Sequence, residues 1–94
     1  MIEISITENS IVMCGHAGLA PRGFDIACAG VSALSLTLIK GLREIAGIEL
    51  TERTSNGFLV IQWQHMNEIG RALIDTWRLG IEAIDEEYHC IEFV

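Results

Sequence analysis

Between residue 27 and about residue 46 the chain has no proline and carries apolar side chains on nearly every side of a helical wheel: Val31, Leu34, Leu36, Leu38, Ile39, Leu42 and Ile45. A helix that is apolar all round has to be covered all round. In a chain of 94 residues one sheet covers one face of such a helix, so the other face is expected to meet a second subunit. Asp25 stands where a helix N-cap belongs, and Gly47 where a helix-ending glycine belongs.

The flanking segments supply the sheet. Ile2, Ile4 and Ile6 alternate with Glu3, Ser5 and Thr7, the period of a half-buried strand. After a turn at residues 8–10, residues 11–16 read as its paired strand, with Val12, Cys14 and His16 on one face. Residues 17–24 hold Gly18, Pro21, Arg22 and Gly23 without periodicity and read as a surface loop. Residues 48–54 and 58–63 flank Ser55-Asn56-Gly57, a strong hairpin signal. Ile69, Leu73, Trp77, Ile81 and Ile84 follow at spacings of 4, 4, 4 and 3, which predicts a second amphipathic helix over about residues 66–86. His65 would then stand at its start, exposed or capping. Residues 89–94 are apolar enough for a last strand. The order is ββαββαβ: one α+β domain, a two-layer sandwich with two helices on a mostly antiparallel sheet.

Charge narrows the partners. Six basic against thirteen acidic residues give a net charge of −7, which argues against a direct nucleic-acid ligand, because phosphate neutralisation needs clustered Lys and Arg. A basic protein or peptide suits this surface better. No uninterrupted apolar run approaches the roughly 18–20 residues of a membrane span. The longest candidate, residues 27–39, is broken by Ser32, Ser35 and Thr37, so no membrane partner is expected. The N-terminal residues Met1-Ile2-Glu3-Ile4 do not read as a secretory signal, and a cytoplasmic location is expected. Three cysteines, an odd number, read as reduced thiols. Cys14, His16, Cys28, His89 and Cys90 lack usual zinc spacings, so neither a metal nor a cofactor is expected. Trp63 and Trp77 sit where core or interface packing is expected.

The chemistry-bearing stretch is Gly15-His16-Ala17, the glycine-bearing loop, then Asp25-Ile26-Ala27-Cys28-Ala29-Gly30-Val31-Ser32. It puts a histidine at a strand end and a cysteine in the first turn of a helix. Helix N-termini carry about half a positive charge and amides without intrahelical partners, so a thiolate there is stabilised. A neighbouring imidazole can take the thiol proton and return it to a leaving amine, while first-turn amides, that of Cys28 included, can hold an oxyanion. Gly30 allows close backbone approach, and Ser32, one turn beyond Cys28, shares its face. On the residues alone, a buried small thiol and a structural histidine remain open readings.

The same run, Gly15-His16-Ala17 followed by Asp25-Ile26-x-Cys28-Ala29-Gly30-Val31-Ser32-Ala33-Leu34, resembles the signature of the ribosomal-processing cysteine protease family, and the spacing of twelve from His16 to Cys28 fits that family's dyad. The resemblance covers essentially the whole chain. It implies a cysteine endopeptidase that removes a short N-terminal extension from a basic large-subunit ribosomal protein, cutting after a small residue preceded by bulky apolar ones. A phage protein with a similar motif is a second substrate class it allows. It also implies a homodimer, His16 as base, Cys28 as nucleophile, Ser32 as an active-site neighbour and residues 17–24 as a gate; from the residues themselves, Gly15, Asp25 and Gly30 are expected to support the site. Position 27 is Ala where the family commonly has a larger aliphatic residue, and the loop is shorter than in some relatives. The alternative is a non-catalytic homodimeric module that binds ribosomal or phage peptides.

Overall fold

A computed structural model describes residues 1–15 and 26–94. Its elements run β1 (Ile2–Ile6), β2 (Ser10–Gly15), α1 (Ile26–Glu44), β3 (Leu50–Ser55), β4 (Phe58–Trp63), α2 (Glu68–Tyr88) and β5 (Ile91–Phe93), the expected ββαββαβ order. Among the described residues the strands make one sheet in the order β3-β4-β2-β1-β5, alternating between buried and more exposed residues in β1, β2 and β4 and exposed along most of β3. Every pairing is antiparallel except that of β1 with β5, which is parallel.

One face of the sheet is apolar. Ile2 and Ile4, Ile11 and Met13, Leu59, Ile61 and Trp63, and Ile91 are all buried. They meet Ala27, Val31, Leu38, Ile39 and Leu42 of α1 and Trp77 and Ile81 of α2 in one core. Ile4, Ile11, Leu42, Ile61 and Ile81 are fully buried, each contributing about 1.5–3 kcal/mol relative to exposure.

The helices pack antiparallel through small residues. A Cβ on Gly30 would meet Ile84 at 3.1 Å, one on Gly80 would meet Leu34 at 2.9 Å, and one on Gly41 would meet Leu73 at 3.3 Å. At each of the three levels a glycine on one helix receives a branched side chain from the other. Residues 30, 34 and 41 on α1 step by four and seven, and so do their partners on α2 in reverse, the spacing of a coiled-coil seam.

The helix ends explain where the boundaries differ from expectation. α2 begins at Glu68 because Asn67 caps it: its Oδ1 accepts the Gly70 amide at 2.8 Å, and its Nδ2 donates to the Ala46 carbonyl at 2.8 Å. His65 lies outside the helix and does not cap it. α2 ends at His89, left-handed at φ 52, so His89 is a cap and the last strand starts at Ile91. Gly47 has φ 66 after α1, and the Ile48 amide folds back onto the Leu42 carbonyl at 2.8 Å, as a helix-ending glycine permits.

One expectation about α1 needs correction. By length and composition it is apolar enough to cross a membrane, with a mean hydropathy of 1.4 over an 18-residue window. Ser32, Ser35 and Thr37 interrupt the apolar run but are only weakly polar, so the average stays high, and the Thr37 hydroxyl bonds within the helix, to the Ala33 carbonyl at 2.7 Å. Here the helix is built into the core between sheet and α2. Its face away from the sheet is open in the single chain, with Leu36 57% exposed.

Candidate active site

Cys28 is the third residue of α1, in the first turn, half-buried and packed against the core. The core fixes this turn from below, because Ala27 and Val31 on either side of it are buried. The thiol therefore sits in the opening turn of α1, among amides that have no partner within the helix.

Across from it, β2 ends at Gly15. This residue has φ 102, a Cβ on it would run into the Met1 carbonyl oxygen, and its amide donates to the Gly57 carbonyl at 2.9 Å. Only glycine fits this backbone and this close approach. The bond ties the end of β2 to the β3–β4 turn, where Gly57 has φ 73. Between that turn and α1 lies a cavity of about 490 Å³, lined by Cys28, Ser32, Ser35 and Leu36 of α1, by Gly15, and by residues 54–59 of the hairpin.

The structure thus brings Cys28, Ser32 and Gly15 to one cavity. Gly30 does not line it; its close approach is to Ile84 of α2, so its place is in helix packing rather than in the site. His16 and Asp25 lie outside the described residues, as does the 17–24 loop. Met13 is buried and half-buried Val12 and Cys14 alternate with it, so their side chains lie on the sheet face turned from the helices. Strand alternation carries no further than Gly15, whose φ leaves strand geometry.

Ser35 lies at the floor of this cavity as a core hydroxyl, a place its sequence did not announce. It is 2% exposed, accepts the Trp77 Nε1–H at 3.1 Å, and donates to the Met13 sulfur at 3.4 Å. It sits two helical turns beyond Cys28, and that spacing was the available signal; its partner, 42 positions away, was not visible. A larger cavity of about 1390 Å³ lies at the other end of the sheet, lined by Arg43, Trp63 and His65 among others. It holds neither Cys28 nor Gly15, and Trp63 itself is a core residue whose Nε1 donates to the Glu8 carbonyl at 3.2 Å.

A thiol at a helix N-terminus opening on a cleft between helix and hairpin is a site for nucleophilic thiol chemistry on an α+β sandwich. The model of the cysteine protease Prp family matches residues 1–91, and the chain belongs to that family and is a cysteine protease. This sets aside the non-catalytic module. The chain is 29% identical to the ribosomal processing cysteine protease Prp of Staphylococcus aureus (strain Mu50), over 95% of this chain and 92% of the relative. It is 26% identical to that of Bacillus subtilis (strain 168), over 94% and 90%. Among solved structures, the S. aureus Prp with a covalently linked product peptide superposes with a TM-score of 0.85 at 22% identity, covering 98% of this chain and 94% of that one. At that identity the superposition speaks for the shared fold.

Proposed function

We propose that this protease removes the short N-terminal extension of a large-subunit ribosomal protein, with Cys28 as nucleophile and His16 as general base. The observation that carries the reading is that Cys28, at the head of α1, opens on the same cavity as Gly15, the residue directly before His16 in the sequence. The relatives' names, ribosomal processing proteases, support the substrate class, and the net charge of −7 suits a basic substrate.

The imidazole takes the thiol proton, and the thiolate attacks the scissile carbonyl carbon. The oxyanion collapses to a thioester as the C–N bond breaks, and the imidazolium gives its proton to the leaving amine. Water, deprotonated by the same imidazole, then hydrolyses the thioester and frees the thiol. The positive end of α1 favours both the thiolate and the oxyanion. The protease acts as a cytoplasmic homodimer on this reading; exposed Ile45, Ile69 and Leu79 support a second copy as cover, and sedimentation showing only monomer at micromolar concentration would remove that part.

The test uses a peptide with bulky apolar residues followed by a small one, in tandem with the intact ribosomal protein. Wild type cleaves after the small residue; Cys28→Ser and His16→Ala each lose turnover by about 10⁴-fold or more. Cleavage persisting in Cys28→Ser overturns the assignment.

A further inference from the structure

The two edges of the sheet are unlike. β5 is three residues long, and a short edge strand is one way proteins avoid unwanted pairing. β3 runs six residues in unbroken register with β4 and contains no proline, lysine or bulge. Two hydrogen bonds fix the phase of the ladder: the Gly15 amide donates to the Gly57 carbonyl at 2.9 Å, and the Trp63 amide to the Asn9 carbonyl at 3.0 Å. The backbone groups of Leu59, Ile61 and Trp63 therefore turn toward β2. Those of Phe58, Val60 and Gln62 turn toward β3, where they face Ser55, Arg53 and Thr51. The amides and carbonyls of Leu50, Glu52 and Thr54 point out along the edge, and no strand pairs with them among the described residues.

This edge runs into the site. Thr54 and Ser55 line the Cys28 cavity. Thr54 pairs with buried Leu59, so its side chain lies on the helix side of the sheet, above the cavity. The one acidic side chain of β3, Glu52, is drawn toward α1 by Arg43 at 2.7 Å. On the facing wall, Ser32 and Leu36 follow Cys28 at successive turns of α1, and Leu36 is 57% exposed.

We propose that β3 is the docking strand for the substrate: the peptide segment leading to the scissile bond adds to this edge as a further strand. Its backbone bonds to Thr54 and Glu52, and its alternate side chains turn into the cavity toward Ser32 and Leu36. Strand addition draws affinity from main-chain bonds and selectivity from pockets that take every second side chain. It holds the peptide extended, and the continuity of edge and cavity delivers its scissile carbonyl toward Cys28. The proposal rests on the proteolytic reading above.

The test measures kcat/KM of the wild-type enzyme on a set of peptides, each N-methylated at one backbone amide outside the scissile pair. Strand addition gives a loss that recurs at every second residue, about tenfold per bond removed. On the enzyme side, Thr54→Pro deletes an outward amide and leaves the β3–β4 ladder intact, as proline at an edge strand can. It loses about tenfold in kcat/KM while keeping the wild-type unfolding midpoint and Cys28 alkylation rate. A flat methylation profile on a cleaving wild type overturns the proposal, whatever Thr54→Pro does to folding. So does Thr54→Pro that cleaves normally but turns a dimer into monomers, which would give the edge to a second copy. No wild-type cleavage of any peptide overturns the proteolytic reading itself, and this proposal with it.

Discussion

The two flanks of α1 are built in opposite ways. Toward α2 the helix is sealed: Gly30, Leu34 and Gly41 meet Ile84, Gly80 and Leu73 with no room for another methyl group. Toward the β3–β4 hairpin the same helix stands open over a cavity of about 490 Å³, with Ser32 and Leu36 exposed along it. The glycines differ accordingly. Those on the sealed flank let two helices approach, whereas Gly15 on the open flank holds a backbone turn, at φ 102, beneath the Met1 carbonyl. The tight flank fixes the helix axis that carries Cys28, and the loose flank leaves its thiol reachable.

Substitutions on each side should separate the two roles. The largest effect on stability is expected at Gly15→Ala, which forces a Cβ into the Met1 carbonyl oxygen from a backbone that side chains rarely adopt; about 3 kcal/mol should be lost in urea unfolding, and the cleft with it. Next comes a matched pair on one helix. Gly30→Leu overpacks the seam against Ile84 and should cost about 2 kcal/mol. Ser32→Leu, exposed on the open flank, should change stability by less than about 0.5 kcal/mol yet lower kcat/KM severalfold by filling the cleft. Equal stability losses for the two would erase the distinction between flanks. Ser35→Ala, on the line between the flanks, is expected to fall between that pair in stability. It leaves the buried Trp77 N–H without its acceptor, for about 1.5 kcal/mol in thermal or urea unfolding.

Much of this was legible in the sequence, for physical reasons that can be named. Alternation in β1, Asn56-Gly57 at the hairpin and the apolar spacing of α2 are local signals, and the order of elements follows from them. Gly47 was read as a helix stop and has the left-handed φ that role needs. What was hidden depends on distant partners. Nothing near Gly30 announces Ile84, so a seam glycine looked like a site glycine. Ser35 looked like a hydroxyl interrupting an apolar run until Trp77 was seen to reach it. Asn67, whose side chain bonds both its own helix and the Ala46 carbonyl, moved the start of α2 beyond His65. The place of Cys28 in the first turn of α1 was legible because a helix start is a local signal.

The central claim is that the Cys28 sulfur, at the head of α1 and open to the cleft, is the nucleophile of this protease. Iodoacetamide labelling near pH 7, followed by mass mapping of the three cysteines, tests it most directly. The account predicts that Cys28 is carboxymethylated first, ahead of half-buried Cys14 and buried Cys90 and faster than a simple thiol in solution, with cleavage lost at the same rate. Cys28 reacting no faster than that simple thiol, or peptide cleavage surviving its full modification, would contradict it.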